Sequence, residues 1–165
     1  MKIQKGQPAP PLTLYSSDKE KIALDDLKGQ NVLLLFFPLA FTTVCTQELC
    51  SVRDNLSQYN QMNVRVFGIS VDSPQTLNRF KQEQNLNFTL LSDFNKEAST
   101  AYGCLYEVFS LGMKGVSKRS AFLIDSKGIV QYAEVLENAG EVPDFEAIVE
   151  AIKGLNQPQP SKLPS

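Results

Sequence analysis

Six consecutive apolar residues, Val32 to Phe37 (VLLLFF), constrain the fold of this 165-residue chain more than any other feature. A strand with one face in water alternates apolar and polar residues. A run without alternation is apolar on both faces and needs cover on both. A second such run, Val64 to Val71 (VRVFGISV), lies further along, and the segment between them, Cys45 to Tyr59, reads as a helix. Two buried strands joined by a helix form a parallel βαβ unit, so an α/β protein with helices on its sheet is expected.

The flanking segments extend this unit. Leu12 to Tyr15 reads as a short strand, and Ile22 opens a turn or a second short strand. Ser73 caps a helix with Pro74 at its first position, running to about Gln84. Thr89 to Leu91 is a short strand, and Lys96 to Tyr102 a short helix stopped by Gly103. Residues 104–117 lack a period and read as a loop. Ser120 to Ile124 and Ile129 to Leu136 are strands joined by Asp-Ser-Lys-Gly, a hairpin signal. Pro143 to Leu155 is an amphipathic helix with Phe145, Ile148, Val149 and Ile152 on one face. The order is β-α-β-α, a β-α insertion, then β-β-α. This is a thioredoxin-like arrangement with a central mixed sheet flanked by helices. One domain over residues 1–156 is expected, with a polar, proline-rich tail at 157–165 that reads as disordered.

Composition removes whole classes of function. The net charge of −2 gives no reason to expect a nucleic-acid or acidic-membrane partner. No apolar run approaches membrane-spanning length. The start, MKIQKGQPAP, lacks the apolar core of a secretory signal, which points to the cytoplasm. The chain has no histidine, so Ser-His-Asp and Cys-His hydrolases are excluded. Its three cysteines, Cys45, Cys50 and Cys104, contain no CxxC and cannot complete a four-ligand zinc site without histidine; no metal is expected. The missing CxxC also argues against a disulfide oxidoreductase.

Chemistry concentrates in PLAFTTVC, Pro38 to Cys45. It joins the first buried strand to its helix, beyond the carboxyl end of a central strand, where open α/β sheets bind ligands. Cys45 falls in the first turn of that helix. Free backbone N–H groups and the positive end of the helix dipole favour a thiolate there.

The pattern P-x-x-x-T-x-x-C, made by Pro38, Thr42 and Cys45, resembles the peroxidatic motif of peroxiredoxins. GQPAP near the start, RVFGISVDSP, AYG and R-x-x-F-L-I-D-x-x-G resemble the same family, so the similarity covers residues 3 to 155. The resemblance implies a thiol peroxidase acting on hydrogen peroxide and alkyl hydroperoxides, with no cofactor because sulfur carries the electrons. Cys45 would attack the O–O bond and become a sulfenic acid. Arg119, in SKRSAFLID, would sit against the thiolate and the peroxide. Thr42 would accept a hydrogen bond from the peroxide while holding the thiolate. Pro38 would shape and dry the pocket, and the N–H groups of Val44 and Cys45 would stabilise the leaving oxygen. Glu48, one turn after Cys45, has two readings: a carboxylate complementing the helix N-terminus, or an orienting partner for the arginine.

The Cys45-x-x-x-x-Cys50 spacing resembles the bacterioferritin-comigratory, or peroxiredoxin Q, subgroup, in which Cys50 would resolve the sulfenic acid as a disulfide. In an intact helix residues five apart lie about 8–9 Å apart at Cα and point about 140° away from each other. A disulfide needs about 7 Å or less. The helix start would therefore have to unwind. Two departures keep alternatives open. Thr43 and Val44 stand where that subgroup has Pro-Gly, and PLAFT resembles the alkyl hydroperoxide reductase E type, commonly a one-cysteine enzyme. Cys104 is a packing residue or an alternative resolver. No cysteine follows it, so the C-terminal resolving cysteine of the typical two-cysteine type is absent, and a monomer or small homodimer is expected. The resemblance implies thioredoxin or a similar dithiol as reductant. The rival from another class is a non-catalytic peroxide sensor or holdase chaperone switched by Cys45 oxidation.

Overall fold

The computed structural model of the protein describes residues 2–156. The expected disordered tail at 157–165 lies outside the described residues. The elements in order are β1 Thr13–Ser16, β2 Lys21–Ala23, β3 Asn31–Phe36, α1 Thr43–Asp54, α2 Leu56–Gln61, β4 Val64–Ser70, α3 Pro74–Gln84, β5 Thr89–Ser92, α4 Glu97–Ala101, β6 Ser120–Ile124, β7 Val130–Val135 and α5 Phe145–Asn156. The strands form one sheet in the order β2-β1-β5-β4-β3-β6-β7. β3, β4 and β5 run parallel, and β6, β7, β1 and β2 add antiparallel flanks. This is the mixed sheet of a thioredoxin-like α/β fold. Among the described residues no helix is long and apolar enough to cross a membrane.

The unalternating β3 is central because both its faces are covered. Leu33, Leu35 and Phe37 join one core with Cys45, Leu49 and Val52 of α1, Leu77 and Phe80 of α3, and Ile148 and Ile152 of α5. Val32, Leu34 and Phe36 join the other core with Leu12, Leu14, Ala98, Tyr102, Cys104 and Phe122. Parallel pairing sets Leu35 beside Gly68, and antiparallel pairing sets Leu35 beside Ala121 and Phe36 beside Ser120. Continued by one residue, that register brings Arg119 level with Phe37, at the end of β3 where α1 begins. By strand alternation Arg119 shares the face of Ala121 and Leu123, which is the face of α1.

Local signals explain most boundaries. Ser73 Oγ accepts from the Thr76 N–H at 3.1 Å and Pro74 opens α3, which ends at Asn85 in the left-handed region (φ +50°). The β6–β7 turn is held by Asp125 Oδ1, which accepts from the N–H groups of Lys127 and Ile129, and Gly128 supplies its positive φ of +85°. Ile22 lies in a strand, paired with Leu14.

One expected element differs. The helix over 45–59 starts two residues earlier and breaks at Asn55 into α1 and α2. Asn55 leaves the helical angles (φ −111°, ψ 11°), and its side chain donates to the Ser51 carbonyl at 2.8 Å beside its own N–H at 3.2 Å. The 104–117 loop contains a short 3-10 turn at Ser110–Gly112 and is closed by a bridge between Leu105 and Ser117.

Leu35 is fully buried between α1 and the paired strands. Leu35→Ala is expected to lower unfolding free energy by about 2–5 kcal/mol through lost burial and the cavity left behind. Urea denaturation followed by circular dichroism would measure it.

Candidate active site

Thr42 is the N-cap of α1, with extended φ/ψ of −96° and 155°. The first helical hydrogen bond runs from the Thr46 N–H to the Thr42 carbonyl at 2.9 Å. The N–H groups of Thr43, Val44 and Cys45 precede it, so they lie in the turn where helix amides are free to face an anion. Cys45 is the third residue of α1 and is 1% exposed.

Arg119 reaches Cys45 from the start of β6. Its Nη2 donates to Cys45 Sγ at 3.2 Å and to the Ala139 carbonyl at 2.9 Å, and its Nη1 donates to Glu48 Oε1 at 2.6 Å. The guanidinium, 1% exposed, is held in one orientation from three directions. Glu48 lies three residues after Cys45 on the same helix, so both side chains project toward Arg119. The structure supports its orienting reading: a buried carboxylate paired to the arginine rather than a solvated complement to the helix end.

The electrostatics follow from burial. Burial works against the charge on Arg119, but Glu48 and Cys45 outweigh it and hold the guanidinium above its ordinary value. Burial pushes the Glu48 carboxyl up to about 7, against the pull of Arg119. Glu48 Oε2 has no hydrogen-bond partner among the described residues, consistent with that loss of water.

The other expected site residues take different places. Pro38 is buried just past β3, whose parallel pairing continues through the Phe37 N–H to the Ile69 carbonyl at 2.9 Å. Thr42 is exposed at the rim, and its hydroxyl donates to the Leu39 carbonyl at 2.7 Å. Its single proton is engaged there rather than on the Cys45 sulfur, and its lone pairs remain as acceptors. Cys50 is half-buried, and its Sγ donates to Gln84 Oε1 at 3.5 Å. α1 is continuous from Cys45 to Cys50, so the two sulfurs point to different sides of one helix. Arg53, in the same helix, donates to the Gln84 carbonyl, so Gln84 holds α1 at two points.

Cys104 lies in the opposite core, fully buried against Tyr102 and Phe122. Burial pushes its thiol up to about 12, a hydrogen bond with Ser120 only partly opposing this. The sheet stands between Cys104 and Cys45. The Ala139 carbonyl carried no sequence signal, because any residue supplies a carbonyl.

Comparison with known proteins identifies the family. Residues 5–133 match the AhpC/TSA family. A bcp-type peroxiredoxin of Coxiella burnetii is 43% identical over 132 residues, covering 79% of this chain and 87% of that protein. Peroxiredoxin Bcp of Escherichia coli K12 is 38% identical over 132 residues, covering 79% and 84%. Among solved structures, a peroxiredoxin-like protein of Aquifex aeolicus superposes with a TM-score of 0.84 at 26% identity, covering 94% of this chain and 89% of that one. The peroxidoxin BcpB of Mycobacterium tuberculosis gives 0.78 at 25% identity, covering 93% and 96%.

The buried Glu48 makes a pH prediction. Its carboxyl titrates higher in the native state than in the unfolded chain, so the native state binds the extra proton between the two values. The stability this confers is complete below the unfolded value and is lost as pH rises through about 7. Glu48→Gln is expected to flatten that loss, read as a smaller fall in denaturation midpoint from pH 5 to pH 8 than in the wild type. Taken together, the match over most of the chain and the close relatives place this protein in the AhpC/TSA family, as a peroxiredoxin of the bacterioferritin-comigratory type that reduces peroxide through a cysteine thiol.

Proposed function

We propose that Cys45 is the peroxidatic thiol and Arg119 its activating cation. The observation that carries this reading is the Arg119 Nη2 donor 3.2 Å from Cys45 Sγ, in the first turn of α1. A fixed positive charge meets the sulfur at the start of a helix, whose dipole also favours an anion, in a chain without histidine.

The thiolate attacks the nearer peroxide oxygen of hydrogen peroxide or an alkyl hydroperoxide. The S–O bond forms and the O–O bond breaks; the attacked oxygen stays on sulfur as the sulfenic acid, and the other leaves as water or alcohol with the proton that the thiol gave up. Sulfur loses two electrons and the peroxide gains them. Arg119 steadies the developing charge, with the Val44 and Cys45 amides beside it. Thr42, with its proton on the Leu39 carbonyl, accepts a hydrogen bond from the peroxide, and Pro38 excludes water from beneath.

In the second step the Cys50 thiol attacks the sulfenic sulfur, forming the disulfide and releasing water. This requires the first turns of α1 to unwind, which breaks the Cys50–Gln84 contact. The burial of Cys104 behind the sheet favours Cys50 over it as resolver. A thioredoxin-type dithiol then returns the disulfide to thiols. The cycle suits a reducing compartment such as the cytoplasm and a monomer or small homodimer. The one-cysteine cycle is the second reading, favoured by the unbroken helix between Cys45 and Cys50.

Reduced protein treated with one equivalent of hydrogen peroxide and mapped by mass spectrometry is expected to lose two hydrogens, bridging Cys45 to Cys50. A stable gain of one oxygen on Cys45 without a bridge establishes the one-cysteine cycle. No change at Cys45 removes the reading. Arg119→Met is expected to slow the reaction with peroxide by about 10²-fold or more, the scale of losing a placed donor at a developing charge. Single-turnover kinetics would read it.

A further inference from the structure

The turn between β3 and α1 is tethered by a residue distant in sequence. Asp72 follows β4, and its Oδ2 accepts from the Ala40 N–H at 2.8 Å and from Ser70 Oγ at 2.6 Å. Asp72 is itself anchored: its N–H donates to Ser70 Oγ at 3.2 Å, and its carbonyl accepts from Ser92 Oγ at 2.6 Å. Ser70 and Ser92 close the adjacent ends of β4 and β5, where they pair. The carboxylate is therefore fixed to the rigid centre of the sheet.

The turn it holds is under strain. Phe41, next to Ala40, has φ of +66°, a region that aromatic residues avoid. Such a conformation persists only where surrounding contacts over-determine it. Three contacts do so here: the Asp72 clamp on Ala40, the Phe41 ring on Phe80 at 5.1 Å, and the Thr42 hydroxyl on the Leu39 carbonyl. Thr42 and the free amides of α1 follow directly.

We propose that Asp72 is a positioning residue for peroxide reduction, its carboxylate clamping the Ala40 amide so that Thr42 and the first turn of α1 face the bound peroxide. The proposal rests on Cys45 as the peroxidatic thiol. Asp72 touches neither sulfur nor peroxide and acts through the turn. Its role is the place of one acceptor oxygen, not its charge. An Asn side chain can set its amide oxygen where Oδ2 lies and keep both bonds. Glu keeps the charge but displaces the acceptor by one methylene, and Ala removes it.

The test is the second-order rate constant of the reduced full-length protein with hydrogen peroxide, measured by competition with a haem peroxidase for wild type, D72N, D72E and D72A. Alkylation of Cys45 by iodoacetamide, which needs the thiolate but not the peroxide geometry, is measured in parallel. D72E and D72A are expected to lose about tenfold or more with peroxide, while D72N loses no more than about threefold and alkylation shifts less than about twofold throughout, a misplaced turn costing rate and not reactivity. D72E equal to wild type, or D72N falling with D72A, overturns the proposal, as does a parallel fall in alkylation. If D72A does not fold, the contrast of D72N with D72E still decides. Failure of Cys45 to be oxidised in the wild type, seen by peptide mapping, removes the underlying reading as well and is visible without any variant.

Discussion

A guanidinium almost cut off from water is the interaction around which the active end of this molecule is arranged. Removing an isolated charge from water costs several kcal/mol, so Arg119 survives at 1% exposure only because its surroundings are built for it. Glu48, the Ala139 carbonyl and the Cys45 sulfur each take one of its hydrogen bonds. Those partners come from α1 and from the segment after β7, while Arg119 itself precedes β6. Elements far apart in the chain are thus tied at one charge. In the role proposed for Cys45 the same tie serves chemistry, because any negative charge gained by the sulfur improves the environment of the arginine.

Glu48 is the shortest of these ties. Burial raises its carboxyl to about 7 against the pull of Arg119, and its Oε1, accepting from Nη1 at 2.6 Å, fixes the guanidinium in one orientation beside Cys45.

Under the proposed cycle, α1 carries two demands that oppose each other. Peroxide chemistry needs its first turn intact, since the free amides and Cys45 are placed by it. A Cys45–Cys50 disulfide needs that turn opened. The contacts are graded accordingly. The N-terminal amides have no helical partners to lose, whereas Leu49 and Val52 lie in the core and Arg53 is bound to the Gln84 carbonyl. Opening from the N-terminal end would cost least, and the Asp72 clamp at Ala40 and the Arg53 anchor bound the segment that the proposed disulfide would open.

Local chemistry determined what could be read without a structure. The unalternating VLLLFF required a strand covered on both faces, Ser73 and Pro74 started a helix, and Gly128 with Asp125 made a turn, because each signal acts within a few residues. The P-x-x-x-T-x-x-C pattern pointed to Cys45 as the candidate thiol for the same reason. The break at Asn55 escaped, since it rests on one residue leaving helical backbone angles, with its side chain and its own N–H both bonded to the Ser51 carbonyl. Tertiary structure alone decided the rest. Arg119 is 74 residues from Cys45, and only the β3–β6 register and strand alternation bring it to the sulfur. Packing of the loop after α4 puts Cys104 in the core on the other side of the sheet, and the Asp72 carboxylate under Ala40 depends on where β4 ends beside β3. Such contacts are set by sheet pairing and packing between distant segments, a property of the assembled sheet that no stretch of sequence contains.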